Sequence, residues 1–594
     1  MLSAFKKIFD LFINNDRKRV AIIFTMVVVT GFLDMIGIAS IVPFVMILSN
    51  ENLIESNTYL SAVYYTLSFE NTDDFRFALG MVVLIFLVVS LAFKALTTYA
   101  QYRFTLMREY TVGKSLLECY LHMPYHLFLN RNTADLTKII FSELSIAIYN
   151  GLIPFMTMIS NALVVFFIVF MLTIMDVTLA VTIGVALTFF YILIYKFTGN
   201  FLESIGEKRA KFNQSRYEAV IEAFGAATQV KVGGLEQVYT RRFAVPAKLV
   251  AHYSTLANSI TTVPRFLLEA TAFGGLILTV LYLILKKGSF LNALPIITLY
   301  AFAGYRLIPS MQAVYSSISQ IRFAIPAINA LHLELKNMKL NEVFDNEERL
   351  PVNKFICLKN IYYAYPKTSK QTLSDITIAI PANSTVGFVG PTGSGKTTIV
   401  NLILGLLKPQ QGKLEIDGKI INKSNRRAWQ RSIGYVPQQI YLADDTVASN
   451  IALGIEKEDF NQDSIEYAAT VSNIHNFIIN EMPEGYQTKV GERGIRLSGG
   501  QRQRIGIARA LYHKPKILIL DEATSALDRI TEQSIIDSIN KISDNITVII
   551  ISHRLNTLKN CDNIFVINKG RIHDQGTFKE LQITNKIFRE MLQK

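Results

Sequence analysis

Long apolar stretches nearly free of charge crowd the first half of the chain, and beyond them the pattern changes to short apolar runs separated by glycine and charged turns. About 20 predominantly apolar residues cross a bilayer core of roughly 30 Å, and six stretches meet that length. They are Val20–Leu48, Phe77–Ala100, Leu144–Met175, Val177–Tyr195, Arg265–Leu285 and Ser289–Pro309. The first is too long for the core of a secretion signal and no small-residue cleavage site follows it, so it is expected to remain in the mature chain.

Orientation follows from the cations. Lys6, Lys7, Arg17, Lys18 and Arg19 precede the first stretch, while Glu51, Glu55, Glu70, Asp73 and Asp74 follow it against Arg76 alone. Positively charged segments stay in the cytoplasm, so the N-terminus is expected inside, together with residues 101–143 and 196–264. Those inner segments have helical patterning and few glycines, which predicts helices continuing out of the membrane. In the first outer loop, Leu60, Val63, Tyr64 and Leu67 recur at helical spacing, the mark of a short amphipathic helix lying on the protein or in the lipid interface.

Composition agrees with a membrane half and a soluble half. Of 594 residues, 50% are hydrophobic, and mean hydropathy is +0.29. A net charge of +13 could indicate nucleic acid, but the lysines and arginines sit largely between apolar stretches, where topology accounts for them, and no nucleic-acid partner is expected. Cys119, Cys357 and Cys561 lie far apart and form no CxxC pair, so neither a disulfide framework nor a zinc site is implied.

The expected domains are therefore a six-helix membrane domain over 1–331, a charged linker over 332–354 containing "KLNEVFDNEERLP", and an α/β nucleotide-binding domain over 355–594. In the last of these, "VGFVGPTGSGKTTIV" places an apolar strand, a glycine loop and a helical pattern in the order a P-loop requires. Gly390, Pro391, Thr392, Gly393, Ser394 and Gly395 form the loop whose N–H groups wrap phosphates. Lys396 reaches the β and γ phosphates of ATP, Thr397 ligates Mg²⁺, and Thr398 continues the cradle. Downstream, "ILILDEATSALD" is a second buried strand ending in two acids, Asp521 to hold Mg²⁺ through water and Glu522 to orient or deprotonate the attacking water.

"LSGGQRQR", with Ser498, Gly499, Gly500 and Gln501 at the start of a helix, resembles the signature of ATP-binding cassette proteins. The resemblance implies further roles. Tyr365 in "YYAYP" would stack on adenine, Gln438 in "YVPQQ" would ligate Mg²⁺ and link nucleotide to membrane domain, Asp528 would close the "SALD" loop, and His553 in "IISHR" would be the switch histidine. "TKVGERG", containing Glu492, resembles the X-loop of exporter-type cassettes. With a membrane domain ahead of one cassette, the chain resembles an ABC exporter half-transporter over nearly its whole length. The family's pattern then implies a homodimer in which each ATP is sandwiched between the P-loop of one copy and the signature of the other.

Cargo must be read from the membrane half, where ionisable groups inside apolar stretches are the features to weigh. Counted at 1.5 Å per residue from the outer ends, Lys94, Arg265 and Arg306 lie at roughly 27 to 32 Å of depth, one layer near the cytoplasmic leaflet. Arg306 stands out because a charge-free run, Leu307 to Ile321, follows it, whereas a snorkelling anchor ends a span. Such cations suit an anionic headgroup whose lipid tail stays in the bilayer. The membrane half, with "LFLNRNTADLTKII" in its first inner loop and the external helix, is similar to lipid-linked oligosaccharide flippases of the PglK type. That resemblance implies an ATPase of the bacterial inner membrane, with cassette and termini in the cytoplasm, moving a polyprenyl-pyrophosphate glycan for protein glycosylation. Exporters of other lipids or of hydrophobic drugs, and a nucleotide-gated regulator without turnover, are the competing readings.

Overall fold

A computed structural model of the chain describes residues 2–13, 16–49, 58–67, 69, 71–175, 177–287, 290–337, 348–366, 368, 371–523, 529–543 and 545–592. At 2, 12–13, 49, 58–59 and 337, and in parts of 178–199, 268–296, 529–530 and 540–543, it describes the backbone path alone. The chain forms two compact units, Met1–His122 with Arg131–Leu340, and Met123–Asn130 with Asn341–Lys594.

Among the described residues the first unit is helices joined by short turns, with long helices α1 (Arg17–Ala39), α2 (Thr72–Leu121), α3 (Ile153–Met175), α4 (Val177–Gly225), α5 (Glu236–Thr262), α6 (Pro264–Lys287) and α7 (Phe290–Asn337). Among the described residues, three helical stretches are long and apolar enough to cross a membrane: Arg17–Leu48, Thr72–Leu121 and Thr133–Met175. The expected spans Val177–Tyr195, Arg265–Leu285 and Ser289–Pro309 fall on α4, α6 and α7, where many side chains lie outside the described set. α2 buries a stripe at intervals of seven, Val83, Ser90, Thr97 and Phe104, with the hydroxylated Ser90 and Thr97 at its centre, while Leu84, Ile85, Val88 and Leu91 are exposed on other faces. Small and hydroxylated contacts between helices with apolar faces turned out are how helices associate in lipid. Thr30 of α1 shares a 3.0 Å hydroxyl contact with Thr97 on that stripe.

α7 runs unbroken past Arg306 to Asn337, so the first residues of the expected linker are helix, and residues 338–347 lie outside the described set. Deeper in the unit, Arg209 of α4 and Glu143 form a buried ion pair at 3.1 Å. The predicted outer-loop helix is present over Thr58–Thr66. Its Leu60 and Tyr64 pack against Ile47 and Phe75 while Val63 and Leu67 stay exposed, so one edge of the predicted face docks on the protein.

The second unit is built on two sheets. β1 (Phe355–Tyr363), β2 (Leu373–Pro381), β4 (Gln411–Ile416) and β5 (Lys419–Ile420) form an antiparallel sheet in the order β2-β1-β4-β5. β3 (Thr385–Val389), β6 (Ile433–Val436), β7 (Ile517–Asp521), β8 (Thr547–Ile551), β9 (Asn563–Asn568) and β10 (Arg571–Gly576) form the other, in the order β10-β9-β3-β8-β7-β6. β3, β6, β7, β8 and β9 are parallel, and β3, β7 and β8 are buried at every residue, which explains their continuous apolar runs. The short helix Tyr125–Phe128 belongs to this unit, with Tyr125 against the same apolar cluster as Tyr365 and Tyr435.

Candidate functional site

A parallel sheet carries its ligands beyond the carboxyl ends of its strands, and the candidate residues follow four such ends. The phosphate loop follows β3, Gln438 follows β6, Asp521 and Glu522 close β7, and His553 follows β8. In the loop, Gly393 and Gly395 have φ of +76° and +107°, a region that strains any residue with a Cβ, and a Cβ on Gly395 would stand 2.7 Å from Leu373. Helix α8 (Lys396–Ile403) starts directly behind, so its first N–H groups point at the loop. Lys396 is buried and donates to the carbonyls of Gly390 (2.8 Å) and Pro391 (3.1 Å). Burial holds its pKa below the usual lysine range, with Glu522 and Asp521 pulling the other way. Ser394 Oγ is buried without a hydrogen-bond partner. An unpaired buried hydroxyl is rare in native proteins, and here it lies in the loop a phosphate would fill.

Glu522 is the centre of the arrangement. Its Oε2 accepts from Gln438 Nε2 at 2.7 Å, and its Oε1 lies 2.7 Å from His553 Nε2. Its backbone has φ of +52° while its N–H donates to the Ile551 carbonyl, extending the β7–β8 ladder by one bond. A non-glycine residue held in the left-handed region marks a position that the surroundings over-determine. Asp521 is buried, and its pKa is raised by burial and then by the charge of Glu522, with Tyr435, Lys396 and His553 opposing. Tyr435, whose hydroxyl donates to Asp521 Oδ2 at 3.4 Å, was not foreseen from sequence.

Other expected residues are placed as follows. Tyr365 is half-buried beside the loop, its hydroxyl 3.2 Å from that of the buried Thr398, while Thr392 and Thr397 are exposed. Ser498 caps helix α9 (Gly499–Tyr512) in a capping box with Gln501, so the start of the signature is a well-formed helix end. Glu492 is exposed at the start of a short 3₁₀ turn, and Asp528 lies outside the described residues. The exposed hydroxyl of Thr397, the amide oxygen of Gln438 and the carboxylate of Asp521 are all hard oxygen donors, the chemistry that suits Mg²⁺. Bound there with ATP, Mg²⁺ would neutralise charge on the phosphates, with Lys396 adding its ammonium and Glu522 holding the water.

In the helical unit, sequence reasoning found the cations and missed their counter-charge. Asp34 of α1 is fully buried, and its carboxylate lies 3.6 Å from both Lys94 of α2 and Arg306 of α7. Ser90 donates to it at 2.7 Å. The structure thus brings two of the three expected cations to one acid, leaving one positive charge in excess among the described residues of the cluster. Arg265 pairs instead with Glu269 one turn along α6, at 2.7 Å. Asp34 could have been found by the rule that singled out Arg306, since it too is an ionisable group inside an apolar stretch. Next to the cluster lies a cavity of about 140 Å³ lined by Lys94 and by polar residues including Thr30, Thr97, Gln101 and Asn161.

Residues 373–525 match the model of the ABC transporter family. A solved structure described as a bacterial Atm1-family ABC exporter with ATP bound aligns with a TM-score of 0.79 at 23% identity, covering 98% of each chain. The chain has the ABC exporter fold. Its expected class, a helical membrane domain followed by an α/β cassette, is therefore observed, and the cassette is an ABC-type ATPase domain of the kind that drives transport. Among relatives, the mouse mitochondrial ATP-binding cassette sub-family B member 10 is 40% identical over 271 residues, which is 43% of this chain and 38% of that one. The Caenorhabditis elegans multidrug resistance protein pgp-1 is 40% identical over 240 residues, 40% of this chain and 18% of that one. The chain thus spans less than half the length of these curated relatives.

Proposed function

We propose that two copies of the chain form an ATP-driven exporter that moves an amphiphile with an anionic head, a lipid-linked oligosaccharide of the polyprenyl-pyrophosphate class, from the cytoplasmic to the outer leaflet of a bacterial inner membrane. The observation that carries the cargo reading is the excess positive charge where Lys94 and Arg306 share Asp34. An uncompensated charge among apolar helices is expensive, and an incoming phosphate would compensate it. Arg265, paired with an acid of its own helix, contributes less to this reading. One P-loop and one signature per chain support two equivalent sites in a dimer, and the basic N-terminal segment supports a cytoplasmic cassette.

A multidrug or other lipid exporter is the second reading, favoured by relatives such as the multidrug resistance protein above and by the apolar character of the helical unit. A regulator without turnover is disfavoured by the complete set Lys396, Asp521, Glu522 and His553. The deciding experiment measures ATP turnover and transbilayer movement in phosphatidylcholine proteoliposomes doped with a polyprenyl pyrophosphate, its monophosphate or the uncharged polyprenol. Stimulation by the two phosphates and not by the alcohol is expected. Equal stimulation by all three, or by uncharged drugs alone, would transfer the case to the second reading.

A further inference from the structure

Glu532 has no place in the motifs that mark the nucleotide site, yet it is one of the buried charged groups of the cassette. It sits in the first turn of helix α10 (Arg529–Ser543), 7% exposed. Its Oε1 accepts a 2.7 Å hydrogen bond from the hydroxyl of Thr557, and its Oε2 a 3.0 Å bond from the guanidinium of Arg554. Thr557 Oγ1 in turn lies 3.3 Å from the hydroxyl of Ser552, and Ser552 Oγ accepts from the backbone N–H of Arg554 at 2.9 Å. These contacts close a ring, Ser552 to Thr557 to Glu532 to Arg554, two of whose members, Ser552 and Arg554, flank His553 in the chain.

His553 thus has an anchored neighbour on each side, and its ring reaches Glu522 at 2.7 Å. A buried carboxylate that accepts both a hydroxyl and a guanidinium is well satisfied, and deleting it removes the tie between Thr557 and Arg554. A loop held only by its own turn would leave the imidazole free to wander. A displacement of about 1 Å at a catalytic group costs on the order of 10²-fold in rate.

We propose that Glu532 is a positioning residue for His553: through Arg554 and Thr557 it fixes the loop that presents the imidazole to Glu522. The role rests on the ATPase activity of the cassette and is independent of which cargo is moved.

The test uses full-length protein in phosphatidylcholine nanodiscs and measures ATP turnover against ATP concentration, with residual rates followed by release of labelled phosphate. Glu532→Ala should lower kcat about 10- to 100-fold while the KM for ATP stays within about twofold, since the phosphate loop is untouched. Glu532→Gln, which keeps an acceptor for Thr557 but loses the charge toward Arg554, should lie between it and the wild type. In a His553→Ala background, Glu532→Gln should produce no further loss, because its effect runs through the histidine. Losses that multiply, kcat and KM that worsen together, or wild-type kcat in Glu532→Ala would each overturn the proposal. Should Glu532→Ala fail to fold, Arg554→Met removes the same ion pair from its half-exposed end and carries the cycle. A wild type without turnover would overturn the ATPase reading itself, a different outcome from wild-type turnover with multiplicative losses.

Discussion

The two units solve the placement of charge in opposite ways. In the cassette, functional groups stand at the ends of adjacent parallel strands, so Gln438, Glu522 and His553 meet because backbone hydrogen bonds put β6, β7 and β8 side by side. In the helical unit, Asp34, Lys94 and Arg306 come from three helices whose contact depends on packing of side chains at matching heights. The difference teaches where each site is vulnerable. The sheet will hold its geometry when one group is changed, whereas the helical cluster is its own scaffold, and removing the shared acid should be felt as instability.

The largest expected effect tests the first half of that contrast. Glu522→Gln should leave ATP binding intact and lower turnover about 10³-fold or more, on the order of 4 kcal/mol in the barrier, with the melting temperature unchanged. Turnover within tenfold of wild type would remove Glu522 from its role. Next, Asp34→Ala leaves Lys94 and Arg306 facing each other without an anion. Breaking a fully buried pair costs about 3–5 kcal/mol, and the lower end applies because Lys94 and Arg306 keep 38% and 21% of their side chains exposed. Thermal unfolding in detergent should show the loss, and adding Arg306→Met should restore part of it. An Asp34→Ala protein as stable as wild type would erase the contrast between the units.

Smaller effects sharpen it further. Arg306→Ala should weaken apparent affinity for a polyprenyl phosphate by about 10- to 150-fold, the loss of one charge-assisted contact of roughly 1.5–3 kcal/mol, with Arg306→Lys recovering only part. The readout is the lipid concentration giving half-maximal stimulation of turnover. An unchanged value would return Arg306 to the role of a structural partner for Asp34. Smallest of all, Ser498→Ala removes a helix cap and should destabilise the cassette by about 0.5–2 kcal/mol, read as a shift in its melting temperature. If that is all it does, turnover at low temperature will survive; loss of turnover well beyond the stability change will show that the serine also meets phosphate.

Legibility in the sequence follows the same division. The phosphate loop, the acids after "ILIL" and the histidine after "VIIIS" could be read because each is tied to a strand end a few residues away, and strands announce themselves as apolar runs. Tyr435 and Glu532 could not, since a tyrosine in a strand and a glutamate in an amphipathic helix have ordinary surface readings until tertiary contacts supply Asp521, Arg554 and Thr557 as partners. In the helical unit, Lys94, Arg306 and Asp34 are each legible as charges inside apolar stretches, but that the three meet was not, because separations of 60 and 272 residues carry no periodic signal. The first apolar stretch is two helices, α1 and Ile41–Ser49, with the break at Ser40, and Pro43 in the first turn of the second is the signal that sequence reasoning passed over.

α7 is also a mechanical part. Arg306 sits about a third of the way along a continuous 48-residue helix that ends at Asn337, and at 1.5 Å per residue the arm beyond the arginine is about 46 Å long. Pro309 and Pro326 lie in this arm and each removes one ladder hydrogen bond, yet the helix runs continuously through both. A tilt of about 5° about Arg306 would therefore sweep the far end through roughly 4 Å. Whatever changes the grip of Asp34 on that guanidinium acts at the fulcrum of a lever, and a displacement too small to notice at the acid becomes, at the other end, the width of a side chain.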